Sequence, residues 1–245
     1  MDPQEYEIMY GVEDHHWWYR GMEVITRALL NRWYSPNHKL SILDAGCGTG
    51  AAMTTYLTDY GTVTGFDLST LALKFCQRRK AYRLAQASVT HLPFADNSFD
   101  LITSFDVLYE RGVTDDSESL AEFSRVLVKG GRVLLRLPAY DWLRGQHDIG
   151  IHTARRYTAG EVRGLLQQTG FSVDHISYAN TFMFPAALLK RMTEQIWPPP
   201  VKQSDLTMNA GLFNQLLQNV LSLEAPLVSR IGLPFGLSVI AIGEK

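Results

Sequence analysis

The chain has 245 residues, of which 46% are hydrophobic and 20% charged, as in an ordinary soluble globular protein. Its formal net charge is −2 and it carries no long basic run, so nucleic acid is not an expected partner. The two cysteines are too few for a disulfide framework and lie in no metal-ligand spacing, so we expect a reducing compartment and no metal.

Residues 1–38 form an aromatic arm ahead of the first expected strand. The arm begins MDPQEYEIMYGVEDHH, which lacks the basic start and apolar run of a secretory signal, so we expect a cytoplasmic protein. Aromatic side chains concentrate in the run HHWWYR, residues 15–20, just before a helix-like segment. Trp17 and Trp18 could staple the arm to the core, or the aromatic side chains could face a ligand.

Strand-like and helix-like runs alternate through residues 39–179 and a last strand follows at 237–245, which predicts one domain with a doubly wound parallel sheet. Strands are expected at Leu40–Ala45, Thr62–Phe66, Tyr82–Ala87, Phe99–Ser104, Arg132–Leu137, Phe171–Tyr178 and Leu237–Ile242. Helices are expected at Ala51–Tyr60, Ser69–Arg79, Ser117–Val128 and Thr158–Thr169. Ser69 is a predicted N-cap, and Gly130-Gly131 and Gly170 are predicted to end the helices before them.

The run LSILDAGCGTG has the strand-turn-helix context of a nucleotide-type cofactor loop. Glycines at 46, 48 and 50 permit backbone torsions closed to other residues and let a ligand approach the main chain. The spacing is G-x-G-x-G with Asp44 two positions earlier, whereas the dinucleotide fingerprint is G-x-G-x-x-G. A carboxylate there would repel a pyrophosphate and favour a cationic ligand.

Asp67 closes the second expected strand, roughly twenty residues past the glycines, where an acid can accept hydrogen bonds from both hydroxyls of a ribose. Taken alone, Asp67 is equally well explained as a residue that caps the helix starting near Ser69. Joined to the glycine loop, the ribose interpretation is favoured.

The motifs ILDAGCGTG and HLPFADNSFDLI, followed by SLAEFSRVLVKGGRVLLRL, resemble those of the class I S-adenosylmethionine-dependent methyltransferases of a large bacterial group. The resemblance covers about Leu40 to Tyr178. It implies a Rossmann-like sheet, mostly parallel with the last strand antiparallel, S-adenosylmethionine as cofactor and S-adenosylhomocysteine as product. In the resembling enzymes the N-terminal arm folds over the cofactor as a lid.

Carried over by position, the resemblance assigns the methionine end of the cofactor to the glycine loop, and the ribose and adenine to the segments after the next two strands. Ser88 stands where such enzymes often have an Asp, which alters the expected adenine contacts. The implied cofactor-binding residues are Trp18, Tyr19, Asp44, Gly46, Cys47, Gly48, Gly50, Asp67, Leu68, Ser88, Val89, Phe105 and Asp106. Capping and core roles remain alternatives for Asp106 and Phe105.

The segment PAYDWLRGQHDIGIHTARRY, residues 138–157, is the richest candidate loop for chemistry on the methyl acceptor. His147 followed by Asp148 could form a general base tuned by a carboxylate. A solvent-facing or structurally bonded histidine is the alternative, and His152 is a weaker candidate. Arg155 and Arg156 could bind an acidic substrate, but ion pairs with Asp148 and Glu161 on the protein surface are the commoner outcome and are expected.

Residues 180–236 form a long insertion before the last strand, predicted to be a helical cap over the acceptor pocket. It contains an amphipathic pattern over Gly211–Leu223. Ten apolar side chains could form a wall that suits an apolar or amphiphilic small molecule: Phe182, Met183, Phe184, Leu188, Leu189, Met192, Leu212, Phe213, Leu216 and Leu217. Burial against each other, a homodimer contact and peripheral contact with a membrane are the alternatives.

These observations favour an enzyme that methylates an oxygen, nitrogen or carbon atom of a small, partly hydrophobic metabolite. A catalytically silent module that keeps the cofactor fold but binds a protein partner is the alternative from a different class. A nicotinamide-dependent oxidoreductase is disfavoured by the glycine spacing and by Asp44.

Overall fold

The computed structural model describes residues 2–110, 112–113, 115–145, 148, 153–196 and 211–245. The strands are β1 (Leu40–Ala45), β2 (Gly61–Asp67), β3 (Leu84–Gln86), β4 (Phe99–Phe105), β5 (Leu127–Pro138), β6 (Ser172–Ala179) and β7 (Ser238–Glu244). The helices are α1 (Pro3–Val12), α2 (Trp17–Leu30), α3 (Ala51–Thr55), α4 (Thr70–Arg78), α5 (Asp116–Val126), α6 (Ala159–Gln168), α7 (Phe184–Ile196), α8 (Asn214–Ser222) and α9 (Ala225–Arg230).

The seven strands form one sheet in the order β3-β2-β1-β4-β5-β7-β6. β1, β2, β3, β4 and β5 are parallel to one another, and β7 is antiparallel to both β5 and β6. The predicted sheet, with its antiparallel last strand, is therefore confirmed. The carboxyl ends of the parallel strands meet at one edge, which is where ligands bind in open α/β sheets.

Both faces of the sheet are covered, because neighbouring strand residues point to opposite sides. Leu43 and Ile102 belong to one buried cluster with Phe123 of α5. Ile42 and Leu101, their sequence neighbours, belong to the second buried cluster on the opposite face. Near-continuous burial of this kind explains why these strands are apolar runs in the sequence.

Local signals at the helix ends were mostly correct. Ser69 accepts a hydrogen bond from the amide of Ala72 at the start of α4, and Gly170 follows α6 with a φ of +88°. The expectation for Gly130-Gly131 was wrong. The helix ends at Val126 and β5 begins at Leu127, while the two glycines pair with the C-terminal residue Lys245 through hydrogen bonds of 3.0 Å.

The N-terminal arm and the insertion pack together, and both contribute to the buried cluster on one face of the sheet. The amide of Trp17 donates to Asn214 Oδ1 at 2.9 Å, and Arg32 donates to the carbonyl of Ser229 at 2.6 Å. A Cβ on Gly21 would lie 2.6 Å from the side chain of Leu221, so α2 and α8 approach closely. No helix among the described residues is long and apolar enough to cross a membrane.

Candidate functional site

A cavity of about 1210 Å³ lies at the carboxyl edge of the sheet. Its wall combines the glycine loop, the ends of β2, β4 and β5, the N-terminal arm and the insertion. The predicted cofactor residues that line it are Trp18, Tyr19, Asp44, Gly46, Cys47, Gly48, Asp67, Leu68, Ser88, Val89, Phe105 and Asp106. Among the described residues, Gly50 is the predicted cofactor residue that does not line the cavity. It lies directly before α3 with a φ of +86°, and a Cβ added to it would meet Cys76 of α4.

The glycine loop has no room for side chains on the cavity side. Gly46 and Gly48 have φ values of +73° and +55°, which L side chains rarely adopt. A Cβ on Gly46 would meet Val107 at 2.4 Å, and one on Gly48 would meet Met9 of α1 at 3.1 Å. The loop is held in place by hydrogen bonds of 2.9 Å from the amides of Gly46 and Cys47 to the carbonyl of Phe66.

Asp67 ends β2 beside the glycine loop. One carboxylate oxygen accepts from the amide of Gly48 at 3.0 Å and the other from the amide of Ser69 at 2.9 Å. Burial raises the pKa of Asp67, against the lowering effect of these amides. Asp67 therefore joins the loop to the start of α4 while lining the cavity, so the capping and ligand interpretations are compatible.

Asp44 is a buried acid at the end of β1. Its Oδ1 accepts from the hydroxyl of Thr103 at 2.8 Å, and burial raises its pKa to about 6. The Thr103 hydrogen bond and the positive charge of Arg136 act in the opposite direction. A cationic ligand in the cavity would stabilise the ionised form further.

Arg136 of β5 was not identified from the sequence. Its guanidinium pairs with Asp106 at 2.7 Å and lies 4.8 Å from the ring centroids of both Trp18 and Phe105. Asp106 has a φ of +59°, an uncommon conformation for a residue other than glycine. An arginine inside the otherwise apolar run VLLRLP, residues 133–138, is the signal that could have drawn attention to it.

The first helix also contributes residues that the sequence did not single out. Tyr6, Met9 and Glu13 line the cavity from α1 and the residue after it. The hydroxyl of Thr49 donates to Glu13, and Arg79, the residue after α4, pairs with Glu13 at 3.0 Å. Burial raises the pKa of Glu13 to about 7. These contacts fasten the arm over the glycine loop.

His147 is the predicted general base, and Asp148 is its predicted carboxylate neighbour. His147 and His152 both lie outside the described residues. Asp148 is buried and accepts two hydrogen bonds from Arg156, at 2.9 and 3.0 Å, and one from the amide of Gly145 at 2.7 Å. Burial acts to raise the pKa of Asp148, but Arg156 outweighs it and the pKa is lowered. The expected pairing of Arg156 with Asp148 is thus observed.

Residues of the insertion form part of the cavity wall. Met183, Phe213 and Leu217 of the predicted apolar wall line the cavity. Other members of that wall face solvent, namely Phe182, Leu189, Leu212 and Leu216. The helix predicted over Gly211–Leu223 is a 3-10 turn followed by α8.

In the described part of the chain no group of three His, Cys, Asp or Glu residues could hold a metal ion.

The chain is a seven-stranded α/β domain with a glycine loop, strand-end acids and a cavity at the carboxyl edge of its sheet. Residues 43–135 match the family described as methyltransferase domain. Over these residues, less than half of the chain, the protein is similar to S-adenosylmethionine-dependent methyltransferases, and S-adenosylmethionine is the cofactor that this family implies.

Two curated relatives share this part of the chain. A demethylmenaquinone methyltransferase from Lactiplantibacillus plantarum is 36% identical over 103 residues, which are 38% of this chain and 43% of that protein. A ubiquinone/menaquinone biosynthesis C-methyltransferase from Shewanella halifaxensis is 33% identical over 120 residues, 45% of either chain. The chain therefore spans less than half the length of these relatives.

The likeness of fold extends over nearly the whole chain. A solved S-adenosylmethionine-dependent methyltransferase from Thermotoga maritima superposes with a TM-score of 0.62 at 15% sequence identity, covering 99% of this chain and 95% of that one. At this identity the comparison shows the fold alone.

Proposed function

We propose that the chain transfers a methyl group from S-adenosylmethionine to an oxygen, nitrogen or carbon atom of a small, partly hydrophobic acceptor. The observation that carries the proposal is the cavity of about 1210 Å³, which reaches from the glycine loop to the insertion. Sites for one small molecule commonly measure roughly 300–1,000 Å³. The cavity is thus large enough for a cofactor and a second molecule side by side.

The cofactor end of the cavity has the chemistry that S-adenosylmethionine requires. We assign the methionine part to Asp44, Gly46 and Gly48, where acidic charge and bare backbone favour a ligand with a sulfonium and an ammonium group. Asp67 is proposed to accept from the ribose hydroxyls. Leu68, Ser88 and Val89 line the same end and are assigned to the adenine.

The acceptor end is assigned to the ends of β5 and β6 and to the insertion. Met183, Phe213 and Leu217 provide an apolar wall. The curated relatives are named as a demethylmenaquinone methyltransferase and a ubiquinone/menaquinone biosynthesis C-methyltransferase, which supports a quinone-related acceptor. When bound, the cofactor supplies an electrophilic methyl carbon, whose bond to sulfur breaks as the bond to the acceptor forms. The protein must then mainly align the acceptor atom with that carbon.

Proton removal is needed only for an acceptor that is poorly ionised. His147 stays the predicted base. Because Asp148 is committed to Arg156, we propose that it positions the 138–157 loop instead of taking up a proton.

The insertion carries apolar side chains that are exposed to solvent. Leu189, Leu212 and Leu216 expose more than half of their surface. We propose this face for the predicted peripheral membrane or homodimer contact. Flotation with phospholipid vesicles and sedimentation of the free protein would distinguish the two.

Transfer of a labelled methyl group tests the proposed activity. The purified protein is incubated with S-[methyl-³H]adenosylmethionine and 1,4-dihydroxynaphthalene, an apolar quinol of the class for which the relatives are named, and organic-soluble tritium is counted. We expect incorporation that Asp67→Ala abolishes and Asp96→Ala keeps, because Asp96 is an exposed acid paired with Arg125 away from the cavity. Cofactor binding without transfer to any apolar quinol, phenol or amine would favour the silent module.

A further inference from the structure

A charged arginine stands in the wall of the cavity near the carboxyl end of β5. Arg136 is 8% exposed, and it lines the cavity together with the three side chains that surround its guanidinium, Trp18, Phe105 and Asp106. Burial acts to lower the pKa of Arg136, but Asp106 and other neighbours outweigh it and the pKa is raised, so the side chain keeps its positive charge. A cation held in the wall of a cavity attracts an anionic group of a ligand.

The guanidinium of Arg136 has one nitrogen that the protein does not use. Nε and Nη2 both contact Oδ2 of Asp106, each at 2.7 Å. Nη1 has no hydrogen-bond partner among the described residues, and it is not one of the polar atoms that are buried without a partner. Nη1 therefore retains accessible surface. Since the side chains around the guanidinium all line the cavity, that surface faces the cavity.

Two aromatic rings hold Arg136 in place. Its guanidinium lies 4.8 Å from the ring centroid of Trp18 in α2 and 4.8 Å from that of Phe105 in β4. These cation–π contacts and the ion pair with Asp106 restrict the side chain. The backbone is fixed as well, because the amide of Asp106 donates to the carbonyl of Arg136 at 2.8 Å. Nη1 is thus a positioned donor, which lowers the entropic cost of binding an anion.

Arg136 lies on the same face of the sheet as Asp44, which we assign to the methionine part of the cofactor. Asp44 of β1 is in register with Thr103 of β4, and Thr103 is in register with Leu134 of β5. Arg136 is two residues beyond Leu134, so its side chain points to the same face, about 10 Å or two strand spacings across the sheet from Asp44. Its positive charge opposes the rise in the pKa of Asp44 that burial causes. An acid and an arginine on one wall can contact the two opposite charges of one ligand.

Other cations that line the cavity are less well placed for this role. Arg156 uses all three of its guanidinium nitrogens, on Asp148 and on a backbone carbonyl. Arg20 pairs with an acid of its own helix, and its side chain is 42% exposed. Lys190 and Arg191 belong to α7, in the insertion that we assign to the acceptor. Arg136 is therefore the best placed cation for an anionic group beside Asp44.

We propose that Arg136 binds the α-carboxylate of the methionine part of the cofactor through Nη1. The inference rests on the proposed function and deepens it by naming a residue that distinguishes ligands with this carboxylate from ligands without it. S-adenosylmethionine carries its carboxylate and its ammonium group on one carbon. A wall on which Arg136 lies beside the acids Asp44 and Asp106 offers a partner to each charge. A hydrogen bond between a guanidinium and a carboxylate is among the stronger ones in proteins.

Two ligands that differ by one carboxylate test this contact. Binding of S-adenosylhomocysteine and of decarboxylated S-adenosylhomocysteine is measured by isothermal titration calorimetry. We expect the wild type to prefer the ligand with the carboxylate. Arg136→Met should lower the ratio of the two association constants at least about tenfold, the size of one hydrogen bond between charged groups. The ratio cancels any effect of the variant that is common to both ligands.

Three further variants separate recognition from a structural effect, because Arg136→Met also leaves Asp106 without its partner. Arg136→Met/Asp106→Asn removes that unpaired charge and should show the same lowered ratio. Asp106→Asn alone keeps the guanidinium and should keep the preference. Arg132→Met, at an arginine of the same strand that pairs with Asp174 and does not line the cavity, should keep the wild-type ratio. Thermal unfolding shows that each variant is folded.

A ratio that is unchanged in both variants without Arg136 would overturn the inference, and so would equal binding of the two ligands to the wild type. A fall seen in Arg136→Met but absent from the double variant would overturn it too, because the unpaired Asp106 would then be the cause. Failure of the wild type to bind either ligand would instead defeat the proposed function.

Discussion

Replacing Gly46 with alanine should lower the stability of the protein in two ways, through an unfavourable backbone torsion and through a steric clash. At a φ of +73° an L residue loses about 1–2 kcal/mol relative to glycine. The new Cβ would also lie 2.4 Å from Val107 Cγ2, and overpacking of this kind costs about 1–3 kcal/mol. We therefore expect Gly46→Ala to lower the free energy of unfolding by about 2–5 kcal/mol.

Two other glycines serve as matched controls. Gly130 has a φ of +79° with nothing within 4 Å of an added Cβ, so Gly130→Ala should show the torsional cost alone, about 1–2 kcal/mol. Gly164 lies inside α6 with open space around it, so Gly164→Ala should stabilise the protein by up to about 1 kcal/mol.

The assay is urea unfolding, followed by tryptophan fluorescence and circular dichroism on the four proteins in parallel. In thermal melts each kcal/mol corresponds to roughly 2–4 °C for a chain of this size. Val107→Ala in the Gly46→Ala background should recover part of the loss, namely the part that comes from the contact. A Gly46→Ala variant as stable as Gly130→Ala would refute the reasoning, because it would show that Val107 gives way freely.

Two predictions concern charged groups that the sequence did not reveal. Burial raises the pKa of Glu13 to about 7 from the ordinary 4.5, so its contribution to stability is full below about pH 4.5 and is lost as the pH rises to about 7. Glu13→Gln should remove that part of the pH dependence of the free energy of unfolding. Identical pH profiles for the variant and the wild type would contradict this prediction. Arg136→Met leaves Asp106 without its partner and should cost about 3–5 kcal/mol in urea unfolding, with much of the loss recovered in Arg136→Met/Asp106→Asn.

The sheet could be predicted because its strands are distinct apolar runs. β1 was bounded correctly at Leu40–Ala45, and β2 and β4 were found to within one residue at each end. Ser69 and Gly170 correctly marked the start of α4 and the end of α6. The exception, Gly130-Gly131, was misread because a glycine pair after a helix signals a stop, whereas here the pair lies within an extended segment beside the C-terminus.

The glycine loop and Asp67 were recognisable because one local motif sets their position. Arg136 and Glu13 were not, because their roles depend on partners distant in sequence. Arg136 meets Asp106 across two adjacent strands, and Glu13 meets Thr49 and Arg79 from a separate helix.

The most direct test of the central claim is calorimetric titration of the purified protein with S-adenosylmethionine and with NAD. We predict binding of S-adenosylmethionine in the micromolar range, no binding of NAD, loss of binding in Asp67→Ala and normal binding in Asp96→Ala. Binding of NAD alone, or of neither molecule, would contradict the assignment of this cavity to a methyltransferase.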